Sequence, residues 1–138
     1  MRSATKAGAT YFVGMFALGF LLGAARVLLL APALGDLGAT FVELPVMLAI
    51  SWIYCVSLLR RLAVPAKAVP RIIMGVTAFT LLMIAEVLLG IGLFDRSLPQ
   101  QMREMMSGPG IAGLLGQVAF ALFPLLQLRH ARLRSEEP

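Results

Sequence analysis

Apolar residues along the chain fall into four long blocks, which are separated by short segments containing glycine, proline or charged residues. The blocks cover about residues 10–31, 38–59, 71–94 and 109–128. Each is close to the roughly 20 residues that a helix needs to cross a hydrocarbon layer of about 30 Å. The pattern predicts an all-α integral membrane protein, with four transmembrane helices in an antiparallel bundle that forms a single domain over 1–138.

The composition agrees with this pattern, because 59% of the 138 residues are hydrophobic and only 14% are charged. A water-soluble domain of this length needs much less apolar sequence.

The first block follows Arg2 and Lys6 and could instead be a signal peptide. It is longer than the roughly 7–15 apolar residues of a signal core and contains Arg26, so we expect it to remain as a span.

The positions of the basic residues predict the orientation of the bundle. They precede the first block, lie between the second and third, and follow the fourth: Arg2, Lys6, Arg60, Arg61, Lys67, Arg71, Arg129, Arg132 and Arg134. In the remaining connections only Arg96 and Arg103 are basic. By the positive-inside rule both termini are cytoplasmic, and 129–138 forms a cytoplasmic tail. The net charge of +5 therefore indicates contact with the head groups of the lipid bilayer, and we expect no nucleic acid partner.

Two connections have a predicted structure. The segment APALGDLG at 31–38 contains Pro32, Gly35 and Gly38, which predict a short turn between antiparallel spans. In the longer connection at 95–108, SLPQQMREMM predicts a short helix at the membrane surface, with Ser97 as the cap and Pro99 in the first turn.

One strongly polar residue stands out in each span, and these four are the candidate site: Arg26, Glu43, Glu86 and Gln117. Counting at 1.5 Å per residue places all four within roughly 5 Å of one depth, in the outer half of the bilayer. Helical phase puts each on a face with small or adaptable residues. We therefore expect the four side chains to converge in the interior of the bundle, as a site for a ligand or a proton.

Small residues and prolines accompany this layer. Gly19 and Gly23 share the face of Arg26, and Gly110 and Gly113 share the face of Gln117, so these glycines are predicted helix-packing contacts. Pro45 and Pro124 lie within the second and fourth spans and remove a backbone donor from each. They are predicted to kink those helices.

The charges of the layer do not cancel, because Arg26 faces two glutamates. A charge near the middle of a spanning helix costs about 2.5–3.5 kcal/mol, and pairing Arg26 with a carboxylate removes much of that cost. The planar guanidinium can serve two acceptors. The second carboxylate remains uncompensated, so we expect one glutamate to hold a proton. Glu86 is the expected carrier, because it is farther than Glu43 from the membrane surface.

Two functions fit this layer. The first is proton- or ion-linked transport, or the binding of a small polar ligand, by a homo-oligomer. The second is a structural role, in which the layer locks the bundle or docks the chain into a larger membrane complex as an accessory subunit. Enzyme activity is not expected, since the spans lack histidine, a nucleophile beside a base and a cluster of metal ligands. We expect no cofactor and no metal.

Two further residue types have simple interpretations. Cys55 is the single cysteine, so an internal disulfide is excluded and the residue is predicted to be a small buried hydrophobe. Ser51 and Ser57 are predicted to bond the backbone of their own helix.

The run FALGFLLGAARVLLLAPALGDLGATFVELPVML carries a G-x-x-R-V, P-x-x-G, E-x-P pattern, formed by Gly23, Arg26 and Val27, by Pro32 and Gly35, and by Glu43 and Pro45. In this pattern the chain resembles a group of small four-span bacterial proteins. The resemblance covers the first hairpin, with AEVLLG at 85–90 as a weaker match. It implies a four-span fold in the bacterial inner membrane and no particular activity.

Overall fold

The computed structural model describes the chain from Met1 to Ser135, with side chains as far as Leu128. The helices in chain order are α1 (Arg2–Ala25), a π-helical turn (Arg26–Leu30), α2 (Ala31–Arg61), α3 (Ala68–Gly92), α4 (Leu98–Met105) and α5 (Gly108–Ser135). The described residues contain no strand, so the predicted all-α class is confirmed. Helix α5 continues into the predicted tail at 129–138, the last three residues of which lie outside the described part.

Three helical stretches are long and apolar enough to cross a membrane: Arg2–Arg61, Ala68–Gly92 and Gly108–Leu128. Much of their apolar surface faces outward. Leu21, Leu28, Leu29 and Leu115 are each about two-thirds exposed or more. An apolar exterior of this extent is unusual for a water-soluble monomer, and it is compatible with a membrane protein.

The first stretch folds back on itself at one residue. Gly35 has φ 71° and ψ 166°, a conformation open almost only to glycine, while the residues on both sides are helical. The turn predicted over 31–38 is longer than the observed one, because only Gly35 departs from helical backbone angles. The two arms lie side by side, and the hydroxyl of Tyr54 donates to the carbonyl of Thr10 at 3.2 Å.

The long helices form two antiparallel hairpins that pack against each other. The first hairpin pairs α1 with α2, and the second pairs α3 with α5. Between the hairpins α1 contacts α3 and α2 contacts α5, whereas α2 and α3 make no contact within the described residues. Consecutive helices α2 and α3 are therefore diagonal. The short helix α4 packs on α3 and α5 and defines one end of the bundle, here called the α4 end.

The predicted helix α4 is confirmed. The amide of Gln100 donates to the Ser97 hydroxyl at 3.4 Å, and the amide of Ser97 donates to the Gln100 side chain at 2.8 Å. This reciprocal capping box satisfies two backbone donors at the start of the helix, with Pro99 in its first turn.

The packed core lies in the half of the bundle away from α4. Its largest fully buried side chain is Tyr11, which stacks on Phe120 with ring centroids 4.2 Å apart. The Tyr11 hydroxyl lies 2.5 Å from the Ser51 hydroxyl, so Ser51 bonds across the bundle instead of along its own helix as predicted. Ser57 does bond its own helix, through the carbonyl of Ile53. Cys55 is fully buried here, as predicted.

Glycines allow the closest helix contacts in this half. A Cβ on Gly8 would lie 2.6 Å from the carbonyl oxygen of Met74, and one on Gly75 would collide with the carbonyl of Ala121. These contacts join α1 to α3 and α3 to α5 through small residues. Neither glycine was among the packing residues predicted from the sequence.

The four glycines that were predicted to pack helices together lie in the half of the bundle nearer α4. A Cβ on Gly19 would lie 3.3 Å from the Met47 side chain, and one on Gly110 would collide with the backbone of α4 at Glu104. Gly23 and Gly113 have no atom of the described chain within 4 Å of an added Cβ. Within one chain these last two glycines therefore leave space open and do not bring helices together.

The two prolines lie inside continuous helices. Pro45 is exposed within α2, and Pro124 is fully buried within α5. In α2 the only residue with non-helical backbone angles is Gly35. Within α2 the largest change of chain direction is therefore at Gly35 and not at Pro45.

Replacing Gly35 by alanine tests the turn, because a Cβ there meets no neighbouring atom and acts only through the backbone. We expect Gly35→Ala to lower the free energy of unfolding by about 1–3 kcal/mol, measured by equilibrium unfolding in mixed detergent micelles. Gly23→Ala is the matched control, since Gly23 is helical and equally open. Equal effects of the two substitutions would contradict the assigned role of Gly35.

Candidate functional site

The half of the bundle nearer α4 encloses a cavity of about 850 Å³ between the two hairpins. All four predicted site residues line it: Arg26, Glu43, Glu86 and Gln117. The end of the cavity at α4, here called its mouth, is lined by Asp36, Arg96 and Ser107. Its floor is formed by Met15, Ser51 and Phe120, the upper layer of the packed core. The cavity therefore extends from the α4 end of the bundle to the packed core.

Arg26 and Glu43 form an ion pair across the first hairpin. The Nε atom of Arg26 lies 2.9 Å from Oε2 of Glu43, and the two side chains are 25% and 17% exposed. Arg26 is also the first residue of the π-helical turn, where the amide of Ala31 donates to the Arg26 carbonyl. Such turns add a residue to the helix and occur often at functional sites. No sequence signal predicted this one.

Glu86 and Gln117 form the corresponding contact across the second hairpin. The Nε2 atom of Gln117 donates to Oε1 of Glu86. The predicted layer is thus arranged as two separate pairs. Arg26 does not connect the two pairs, because the ion pair described for it is with Glu43.

Among the residues whose side chains the structure describes, none is a cationic partner of Glu86. The described residues form two ion pairs, namely Arg26 with Glu43 and Arg96 with Glu104, the latter at 2.7 Å between Nη1 and Oε2. Both arginines of the cavity wall are therefore already matched. An ionised Glu86 would carry an uncompensated charge beside a neutral amide, which is costly in an apolar bundle.

Two amide oxygens in the wall are buried without a hydrogen-bond partner in the described chain. They are Oε1 of Gln117 and Oε1 of Gln101. Gln101 is only 8% exposed and lies on α4 against Gly90, where a Cβ would collide with the amide group. Buried polar atoms without partners are uncommon, because each costs about 1–3 kcal/mol. Both oxygen atoms belong to residues of the cavity lining, and each is an acceptor without a described donor.

Small residues keep the cavity wide. Gly19, Gly23, Gly113 and Gly116 all belong to its lining, in the same half as the polar pairs. Larger residues at Gly23 and Gly113 would fill the space between the hairpins, whereas at Gly19 and Gly116 they would meet the side chains of Met47 and Leu44. The glycines predicted to bring helices together therefore contribute in part to an open volume.

Several residues of the site were missed by sequence reasoning. Asp36, Thr40, Gln101 and Glu104 line the cavity near its mouth. Thr40 donates to the carbonyl of Asp36 at 2.8 Å. Gln101 could have been suspected from its place on the amphipathic α4. The others lie near helix ends, where polar residues are expected anyway.

Comparison of the chain with known proteins finds no matching family model, no matching curated protein and no matching solved structure.

The Arg26–Glu43 pair can be tested by a double-mutant cycle. Glu43→Gln leaves the guanidinium without its counter-charge, and Arg26→Gln leaves the carboxylate alone. The double variant removes both charges, so its loss of unfolding free energy should be smaller than the sum of the single losses by about 1 kcal/mol. Equilibrium unfolding in mixed micelles measures all three variants. Strictly additive losses would show that the pair contributes no coupling.

Proposed function

We propose that the chain is a four-span protein of the bacterial inner membrane that binds a small polar solute in the cavity between its hairpins, as part of proton-linked transport. The observation that supports this proposal most directly is the cavity itself, since its wall contains the four polar residues of the apolar helices. Intramembrane ionisable residues commonly mark a pathway for a solute or a proton.

The count of four spans rests on the turn at Gly35. The helical stretch Arg2–Arg61 consists of two antiparallel arms, and each arm exceeds the roughly 20 residues needed to cross the hydrocarbon layer. With the basic residues Arg60, Arg61 and Lys67 on the cytoplasmic side, the α4 end faces outward. The cavity would then open to the outside and be closed toward the cytoplasm by Tyr11 and Phe120.

Proton linkage follows from the state of Glu86. In the acid form this side chain carries no charge and supplies an O–H donor for the Oε1 atom that Gln117 leaves without a partner. An acid beside an amide is a complementary pair of donors and acceptors. Glu86 can then exchange its proton when another cation enters the cavity.

A second candidate function is a structural one. Each polar pair joins two neighbouring antiparallel helices, as an internal lock of each hairpin would. In that case the chain is an accessory subunit, and its cavity holds a side chain of a partner or of a second copy in a homo-oligomer. This function does not need the cavity to contain water.

Thiol labelling separates the two candidates, because a thiol reacts with a charged reagent only where water can reach it. We expect Gly113→Cys, which points into the cavity, to be modified by a membrane-impermeant methanethiosulfonate added outside intact spheroplasts. Leu115→Cys is the matched control on the same helix, since Leu115 is 66% exposed on the apolar exterior and should stay unmodified in lipid. The parent chain supplies the background, because its Cys55 is fully buried.

The result would contradict the proposal in two cases. In the first, Gly113→Cys remains unmodified from both sides of the membrane, which is the outcome expected of a sealed structural lock. Modification only from the cytoplasmic side would place the mouth of the cavity at the wrong end.

A further inference from the structure

We infer that the solute is a small amine in its ammonium form, and that it binds by replacing the proton of Glu86. This inference rests on the proposed function, because it assigns a chemical class to the ligand of the same cavity. Three observations support it: the free hydrogen-bonding groups of the wall, its charge balance and its aromatic residues.

The unpartnered polar atoms of the lining residues are acceptors. Gln101 is more than nine-tenths buried, lines the cavity and leaves its Oε1 atom without a partner. The Oε1 atom of Gln117 is also buried, and it has no donor once the Glu86 acid has lost its proton. A ligand that satisfies them must donate hydrogen bonds. An ammonium group has three N–H donors and no acceptor, which matches this wall.

The charges of the wall favour a cation. Helix α1 contributes no charged residue to the lining, and α5 contributes the neutral Gln117. Six charged residues from the other segments line the cavity: Arg26, Asp36, Glu43, Glu86, Arg96 and Glu104. The two arginines are already paired with Glu43 and Glu104. The remaining groups are carboxyls, with Asp36 at the mouth and Glu86 deeper. An anionic solute would find no free positive group among the described residues of the wall.

The rest of the lining suits an apolar substituent on the amine. Phe16, Phe20, Phe94 and Phe120 all belong to it. Aromatic faces attract cations within about 6 Å and pack against apolar rings. A cavity of about 850 Å³ is within the range of sites for small molecules. An arylalkyl ammonium ion therefore matches both the polar and the aromatic parts of the wall.

The exchange is balanced in charge and atoms. The O–H bond of the Glu86 acid breaks, and its proton leaves to bulk water. The resulting carboxylate then pairs with the ammonium cation, which keeps all its own protons. The net charge of the cavity is the same before and after, so the cation enters without adding an uncompensated charge to the bundle.

Calorimetric titration of the purified protein with benzylammonium tests the inference. At a pH where Glu86 is protonated, we expect close to one proton released per ligand, detected by repeating the titration in buffers of different ionisation enthalpy. The dissociation constant should fall about tenfold for each unit rise in pH over the same range. Benzyltrimethylammonium, which has the charge but no N–H donor, should bind at least tenfold more weakly. Benzoate should not bind.

Two variants assign the effect to Glu86. Glu86→Gln keeps a hydrogen-bonding partner for Gln117 but has no proton to exchange, so proton release should vanish and binding should weaken at least tenfold. Asp95→Asn is the matched control, because Asp95 lies outside the cavity lining and asparagine tolerates its left-handed backbone, with φ 51°. It should bind benzylammonium like the parent.

Other outcomes overturn the inference. Binding of benzylammonium without proton release would remove Glu86 from the exchange, and tighter binding of benzoate would reverse the class of ligand. Absence of binding by all three probes would also overturn it. If Gly113→Cys is still labelled from outside in that case, the water-filled cavity of the proposed function stands and only the ligand class fails.

Discussion

The constraint on which this structure depends is the matching of charge inside an apolar chain. Arg26 can lie in the first apolar block because Glu43 is brought to it by the fold at Gly35, at 2.9 Å. Glu86 receives only the neutral amide of Gln117, so its charge must be compensated by a proton or by a cation from outside the chain. The charges of the Arg26–Glu43 pair cancel, whereas an ionised Glu86 beside Gln117 would need a cation from outside the pair. This difference underlies both the proposed proton linkage and the inferred class of ligand.

The two halves of the bundle differ in how their helices pack. In the half away from α4, Tyr11, Ser51 and Phe120 join three of the long helices, and glycines such as Gly75 bring backbones into contact. In the other half, Gly23 and Gly113 face the cavity, whereas Gly110 contacts the backbone of α4 and Gly116 contacts Leu44. Small residues in this half therefore leave space at some positions and allow close contact at others. A closed floor and an open mouth are what a binding site accessible from one side requires.

The sequence predicted the elements well because they depend on local patterns. Apolar block length indicated the long helices, and the Ser97 and Pro99 signals identified α4 together with its cap. Counting the depth of the four polar residues along their helices was enough to predict that they come together, and all four line one cavity. Their pairing could not be predicted, because it depends on which helices are neighbours, and α2 proved to be diagonal to α3. Gly35 was one of three turn candidates, and nothing local indicated that it alone would break the helix, or that a π-helical turn would begin at Arg26.

The central claim is that Glu86 carries a proton while Glu43 is ionised beside Arg26. Infrared spectroscopy of the protein in a detergent without ester groups measures this directly, through the carbonyl stretch that a protonated carboxylic acid shows and a carboxylate lacks. The account predicts such a band at neutral pH in the parent chain and in Glu43→Gln, and its loss in Glu86→Gln. Absence of the band from the parent, or its persistence in Glu86→Gln, would contradict the account.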